Sequence, residues 1–318
     1  MARLLLALAL AGLVLPASGA VARPSGGTPV ALVTAETQNE VIAVSFPDGK
    51  VLRRVHVAAD PQNVVANQKV AVVVSPGSGT VTLLDARTLR VEKVLGGFGA
   101  PHLATLSSDP REKWAYVTDD PRGQLDVVSL TQRRVVKRLF VGLGAHHLSL
   151  HGNRLWIALG EHAHEISIVD VSRPSHPRLL RRFDPGFVAH DLAFNPDGRR
   201  VWITSSQDEY VRVVDAKTGK RAFSVRGGPS PQHVVFNGRL AYVTSGYASR
   251  IESVEQDGHV IRVGRTPYGS FNLAATGSLV FTASLLNGSV TEFGPKLGVW
   301  KSITVAPATR GIAMVVWP

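Results

Sequence analysis

The chain has 318 residues, of which 44% are hydrophobic and 19% charged, and it contains no cysteine. The lack of cysteine excludes disulfide bonds, so the fold must be stabilised by buried apolar area. A formal net charge of +11 suggests nucleic acid or an acidic surface as a partner. The basic residues could instead keep the protein soluble, and their positions in the fold distinguish these two roles.

The N-terminal segment has the features of a secretory signal. A short basic start at Arg3 precedes an apolar stretch over 4–15, and Ala20-Val21-Ala22 forms a small-x-small cleavage site. No cysteine follows to carry a lipid anchor, and no later segment approaches the ~20 apolar residues of a membrane helix. We therefore expect cleavage near Ala22 and a secreted or periplasmic protein without a membrane span.

The rest of the chain repeats one sequence pattern, which we call the phrase: short β-branched runs separated by polar turns. Three copies are AYVTDDPRGQLDVVSL (115–130), VWITSSQDEYVRVVDAKTGK (201–220) and AYVTSGYASRIESV (241–254). Between the phrases lies a further short apolar strand that begins with a polar pair. When these strands are aligned, the second members of the pairs are 39 to 45 residues apart: Asn63, His102, His147, Asp191, His233, Asn272 and Gly311.

A period near 40 residues with four short strands per repeat is typical of a β-propeller. The seven aligned positions predict an all-β fold with seven four-stranded blades. ALVTAE (31–36) matches the second strand of a blade and GIAMVVWP (311–318) matches the first. We expect the C-terminal strand to join the N-terminal blade and close the ring. The predicted organisation is a signal over 1–22, a linker over 23–28 and one propeller over 29–318.

Several phrases carry a family resemblance. AYVT at 115–118 and 241–244, with SGTVTLLDARTLRVEKVL (78–95) and EYVRVVDAKTGKRAFSV (209–225), resembles the YVTN-repeat β-propellers. The resemblance covers essentially 29–318 and implies the propeller fold. The family includes surface-layer proteins, ligand-binding proteins and lactonase-like or lyase-like enzymes, so the resemblance implies no single activity.

The polar pairs are the candidate binding residues. Because the first strand of each blade is innermost, the pairs should form a ring at the mouth of the central channel. In four consecutive blades the polar pair contains at least one histidine. The predicted ligand-binding residues are His102, His146, His147, His190, Asp191 and His233.

One loop adds metal-binding residue types beside this ring. The loop EHAHE (161–165) should open on the same face, and it brings His162 and His164 next to His147 and His190. Imidazoles at this density are typical of a divalent transition-metal site. The predicted metal ligands are those four histidines. The alternative is that the pairs cap turns, a structural task that the repeat copies around the ring.

The basic residues cluster in the fourth strands, in LRRVHV (52–57), RRVVKRLF (133–140), RLLRRF (178–183) and KRAFSVR (220–226). These strands should be outermost, where Lys and Arg protect exposed sheet edges from aggregation. This placement argues against nucleic acid as the partner. It leaves anionic polymers as a partner class to be tested.

Together the patterns predict an exported binding protein that recognises a small ligand or an extracellular partner at the histidine-lined mouth. The alternative function is a metal-dependent lyase or lactonase-like hydrolase at the same face. No cofactor is certain from the sequence, and a divalent transition metal is the one that its residue types suggest.

Overall fold

The computed structural model describes residues 27–107, 113–160 and 164–318, and it forms seven four-stranded antiparallel sheets. The predicted signal and most of the linker lie outside these residues. The first strands are β1 (Thr28–Ala35), β2 (Glu40–Ser45), β3 (Val51–His56), β4 (Asn63–Ala66), β5 (Val70–Ser75), β6 (Thr80–Asp85), β7 (Val91–Leu95), β8 (Pro101–Leu106), β9 (Trp114–Asp119), β10 (Gln124–Ser129), β11 (Arg134–Phe140), β12 (Leu148–His151), β13 (Arg154–Ala158) and β14 (Ile166–Asp170). They are followed by β15 (Arg178–Phe183), β16 (Leu192–Phe194), β17 (Arg200–Ile203), β18 (Tyr210–Asp215), β19 (Arg221–Arg226), β20 (His233–Asn237), β21 (Leu240–Ser245), β22 (Arg250–Val254), β23 (Val260–Arg265), β24 (Ser270–Thr276), β25 (Leu279–Ser284), β26 (Ser289–Phe293), β27 (Val299–Thr304) and β28 (Thr309–Trp317).

The sheets are the blades of a ring. Blade 1 has the order β28-β1-β2-β3, and blades 2 to 7 each take four consecutive strands, from β4–β7 to β24–β27. The first strands of neighbouring blades contact one another around the whole ring, including β28 against β4 and β24. The seven-bladed, four-stranded propeller predicted from the repeat is therefore confirmed.

The ring is closed by the last strand. β28 pairs antiparallel with β1, with Val30 opposite Val315 and Leu32 opposite Ala313. Trp317 Nε1 also donates a hydrogen bond to the Ala86 carbonyl of blade 2, at 3.0 Å. The C-terminal strand thus completes the N-terminal blade, as the sequence predicted, and β1 has no free edge.

The middle strands are buried on both faces because each blade is packed between two others. β1 and β2 carry seven and five consecutive buried residues, and most are Val, Ile, Leu or Ala. Separate apolar clusters fill the spaces between blades. Val72 and Val74 of blade 2, for example, belong to the same cluster as Ala115 and Val117 of blade 3. Continuous apolar runs suit strands covered on both sides.

The threonine of the repeated phrase fixes the mouth of the channel. Thr118 Oγ1 donates a hydrogen bond to the His146 carbonyl of the next blade, at 2.6 Å. Thr204 Oγ1 donates in the same way to the Gln232 carbonyl, at 2.7 Å. Each bond ties one blade to the strand-entering segment of its neighbour. The AYVT-type phrase therefore positions the residues that line the mouth.

The basic clusters lie in the outermost strands β3, β11, β15 and β19, as the repeat predicted. Several of their arginines pair with carboxylates on the neighbouring strand, such as Arg54 with Glu40 at 3.1 Å and Arg178 with Asp170 at 3.0 Å. Among the residues that the structure describes, no helix has the length and apolar character to cross a bilayer.

Because these cations are spread along exposed edges and are partly paired, binding to heparin should be weak and should vanish at moderate salt. Affinity chromatography over a salt gradient measures this. Retention at several hundred millimolar salt would contradict an edge-protecting role and would indicate a polyanion site.

Candidate functional site

The mouth of the channel is a cavity of about 420 Å³. Its wall combines the segments entering the first strands with the loops between second and third strands, so both open on one face as expected. One arc of the wall carries five histidines, which we call the histidine arc: His102, His146, His147, His190 and His233.

The five imidazoles form one continuous cluster. The ring centroid of His147 lies 4.9 Å from that of His146, 4.5 Å from that of His190 and 4.9 Å from that of His233. His102 stacks on His146 with a centroid separation of 3.5 Å. His147 is 2% exposed and lies at the centre, while the other four are partly exposed to the cavity.

Two carboxylates orient three of these rings. Asp191 Oδ1 lies 3.0 Å from His147 Nδ1, and its Oδ2 lies 3.5 Å from His233 Nδ1. Asp120 Oδ2 lies 2.8 Å from His146 Nδ1. In each case the carboxylate engages Nδ1, which leaves Nε2 for another partner. Carboxylates behind histidines are the usual outer partners of metal ligands.

Asp191 is itself fixed by hydrogen bonds within its own blade and to the next blade. Its Oδ2 accepts a hydrogen bond from Val234 N at 3.0 Å, and its own N–H donates to Thr204 Oγ1 at 3.0 Å. Burial alone would raise the pKa of Asp191, but hydrogen bonds with His147 and His233 outweigh burial and hold this pKa well below its usual range. Asp191 is therefore negatively charged at neutral pH and lies beneath the arc.

Burial keeps three of the imidazoles neutral. Desolvation lowers the pKa of His147 to about 4 and that of His190 to about 2. Desolvation and the neighbouring His146 lower the pKa of His102 well below its ordinary value. A neutral imidazole has a free lone pair, and metal binding requires that form.

Two overlapping triplets have ligand atoms within 4.8 Å of one another: His102, His146 and His147, and His147, His190 and His233. A tetrahedral zinc site with bonds of about 2.05 Å places its nitrogen ligands about 3.3 Å apart, which falls inside this limit.

Ring orientation separates the two triplets. The planes of His102 and His146 differ by only 16°, so their in-plane lone pairs run side by side and do not converge on one ion. In the other triplet the planes differ by 41° for His147 and His190, 34° for His147 and His233, and 73° for His190 and His233. Those tilts allow convergence. We call His147, His190 and His233 the metal triad.

The structure brings some, but not all, of the predicted site residues together at the channel mouth. All six predicted ligand-binding residues lie in the arc or directly beneath it. Of the four predicted metal ligands, His147 and His190 are neighbours, whereas His162 lies outside the described residues. His164 is exposed, with a φ of 50°, and it belongs to neither triplet.

The wall opposite the arc was not predicted from the sequence. Arg310 lines it, with an ion pair from its NH1 to Glu36 Oε2 at 3.0 Å, and so do Phe271 and Tyr247, whose ring centroids are 4.9 Å apart. Arg310 and Phe271 occupy the first position of the polar pair, the position of His146 and His190 in their blades. Aligning that first position would have found them.

Asp120, the partner of His146, was missed for a different reason. It follows β9 in the loop to the third strand and reaches the arc across blades 3 and 4. Only the loop's placement on the mouth face could have suggested this contact.

The fold and the arc define a seven-bladed propeller with a histidine-lined mouth. No protein-family model and no curated protein matches the sequence. Solved structures do share the fold. A functionally unknown protein from Desulfotomaculum acetoxidans DSM 771 is 13% identical, with a TM-score of 0.78 over 90% of this chain and 98% of its own.

Two further structures are similar. Hydrazine synthase from Kuenenia stuttgartiensis is 16% identical, with a TM-score of 0.72 over 83% of this chain and 91% of its own. Apo AztD from Citrobacter koseri is 10% identical, with a TM-score of 0.71 over 92% of this chain and 98% of its own. At these identities the likeness shows the fold alone.

Proposed function

We propose that this protein binds a divalent transition-metal ion at the channel mouth, through Nε2 of the metal triad His147, His190 and His233. One observation carries the proposal. A single buried carboxylate, Asp191, faces Nδ1 of both His147 and His233, so it directs Nε2 of two rings from different blades away from the protein backbone.

The electrostatics support the same ion class. His147 and His190 are neutral at pH 7, so a metal does not have to displace a proton from either ring. Asp191 supplies one buried negative charge against the two positive charges of the ion. Three imidazoles with a carboxylate behind them suit zinc, copper, nickel or iron better than calcium or magnesium, which prefer oxygen ligands.

Protein purified without chelator should therefore contain about one equivalent of a transition metal, and a His147→Ala, His190→Ala double variant should lose it. Zinc titration after chelator treatment should show affinity lower by at least 100-fold in the variant, because two of three ligands are removed. Elemental analysis and competition titration measure both quantities.

A His151→Ala, His176→Ala double variant is the matched control, because both histidines are exposed and lie outside the arc. It removes the same number of imidazoles and should keep the metal. A native protein without affinity for zinc, copper or nickel, or equal binding by both double variants, would overturn the proposal. The histidines would then be turn-forming parts of the repeat.

One observation favours a second candidate function, a metal-dependent lyase or lactonase-like hydrolase. The metal triad supplies three ligands and borders an open cavity of about 420 Å³. Catalytic zinc sites combine three protein ligands with a water, whose pKa the metal lowers. Lactone turnover by the metal-loaded protein is the readout that separates an enzyme from a binding protein.

We also propose a cellular location outside the cytoplasm and membership of a class of propellers. The signal-like segment that ends near Ala22 supports export, and the AYVT phrases support descent from the YVTN-repeat propellers. In an exported protein the basic outer strands would meet anionic polymers of the cell envelope. Detection of the mature N-terminus near Arg23 in the extracytoplasmic fraction tests the proposed location.

A further inference from the structure

The wall opposite the histidine arc has its own chemistry, and it does not depend on a metal. It combines one cation with an apolar surface: Arg310 of blade 1, Phe271 and Leu285 of blade 7, and Tyr247 of blade 6. Arg310 is the only Arg or Lys among the described residues that line the cavity. These residues come from three consecutive blades, so they occupy neighbouring parts of the cavity wall.

The aromatic side chains of this wall are held in a fixed position by the residues around them. Gly246 allows it, because a Cβ at that position would lie 2.3 Å from Phe271 Cδ1. The Gln232 side chain holds the turn by accepting a hydrogen bond from Gly246 N at 2.8 Å. Phe271 then packs edge-on against Tyr247, which is 60% exposed. An exposed ring held in a fixed place offers a binding face.

Three amide side chains at the mouth are each held through one end by hydrogen bonds within the protein. Asn63 Oδ1 accepts from Ala104 N at 3.1 Å, and Gln62 Nε2 donates to the Asp60 carboxylate at 3.0 Å. The Gln232 side chain is likewise engaged, by the Gly246 amide. Arg310 is the cationic group of this wall, with donors beyond the one that pairs with Glu36.

We infer that this wall binds a small aromatic carboxylate, with the carboxylate on the Arg310 guanidinium and the ring against Tyr247 and Phe271. A guanidinium fork matches a carboxylate in geometry and charge. The cavity of about 420 Å³ is in the range that accommodates a small organic molecule. In this pose the far edge of the ligand faces the histidine arc. The inference therefore goes beyond metal binding and rests on different residues.

Titration of the chelator-treated full-length protein with benzoate tests the inference. Acetate carries the charge without the ring, and benzyl alcohol carries the ring without the charge. Benzoate should bind at least about tenfold more tightly than either, because it makes both kinds of contact. Calorimetry measures the three affinities.

Variants assign the contacts. Arg310→Gln should weaken benzoate binding by about tenfold or more, and Tyr247→Ala by about three- to tenfold. Glu36→Gln should strengthen it, because Glu36 then no longer competes for the guanidinium. A purely structural Arg310–Glu36 pair would not give these opposite effects. Arg54→Gln and Tyr210→Ala are the controls, since Arg54 forms a comparable pair on an outer strand and neither residue lines the cavity.

Equal affinity for the three probes, or benzoate binding unchanged in Arg310→Gln, would overturn the inference. So would benzoate binding that appears only after zinc loading and is lost in the His147→Ala, His190→Ala variant, because the carboxylate would then bind the metal. The titration uses metal-free protein, so failure of the metal proposal leaves it intact. Benzoate failure likewise leaves the metal proposal intact.

Discussion

A chain that ends at Arg310 should fail to form a stable propeller, although it lacks only the last eight residues. Those residues form most of β28, the inner strand of blade 1. Ile312 and Val315 are buried, and burying two such side chains contributes about 3–6 kcal/mol. The whole free energy of unfolding of a domain is about 5–15 kcal/mol, so this loss alone removes a large part of it.

The destabilisation should extend beyond blade 1 because β28 is the strand that closes the ring among the residues that the structure describes. Without β28, strand β1, in which all residues but Thr28 are buried, becomes an open apolar edge, which favours aggregation. Blades 2 and 7 also lose a neighbour, since β28 contacts both β4 and β24. Circular dichroism, thermal unfolding and sedimentation should show an unfolded or aggregated chain.

Transplanting the strand provides the matched control. Thr28 lies opposite Trp317 in the antiparallel pair, so residues 309–318 can be moved ahead of β1 through a short hairpin loop. The transplanted chain should recover the fold because it restores the same pairing. A truncated chain with native stability, or a transplanted chain as unstable as the truncated one, would show that closure by β28 does not stabilise the ring.

The sequence predicts this architecture well because a propeller repeats one local pattern. Each blade shows the same alternation and turns, and the spacing of the polar pairs counts the blades. The phase of the repeat at the two ends also predicts the closing pair, since ALVTAE and GIAMVVWP match consecutive strands of one blade. These features depend on short-range patterns, which a sequence displays directly.

The site was predicted in composition but not in geometry. The repeat places the histidines on one arc because all of them enter innermost strands. It does not reveal that His102 stacks flat on His146, or that Asp191 contacts two histidines. Ring orientation depends on side-chain packing between blades, and no pattern within one blade encodes it. Arg310 and Tyr247 were missed because their residue types differ from the histidines at the opposite wall.

The buried neutral histidines should make the metal-free protein lose stability as the pH falls below about 6.5. In the unfolded chain a histidine gains its proton near pH 6.5, whereas burial lowers the pKa of His147 to about 4 and that of His190 to about 2 in the fold. The unfolded state therefore binds more protons in this window, so stability falls with falling pH. Asp191 acts in a separate window: its lowered pKa stabilises the fold above about pH 4, and this stabilisation is lost at lower pH.

Each of these two histidines should cost about 2 kcal/mol between pH 7 and pH 5, because one pKa unit corresponds to about 1.4 kcal/mol. Urea unfolding of chelator-treated protein at pH 7, 6 and 5 measures the loss. His190→Gln should lose about 2 kcal/mol less than the native chain over this range, since its unfolded state has no imidazole to protonate there. His176→Gln alters an exposed histidine outside the arc and should follow the native curve. Equal losses in His190→Gln and native protein would mean that His190 takes up a proton as readily in the fold as in the unfolded chain, so burial would not lower the pKa of this imidazole.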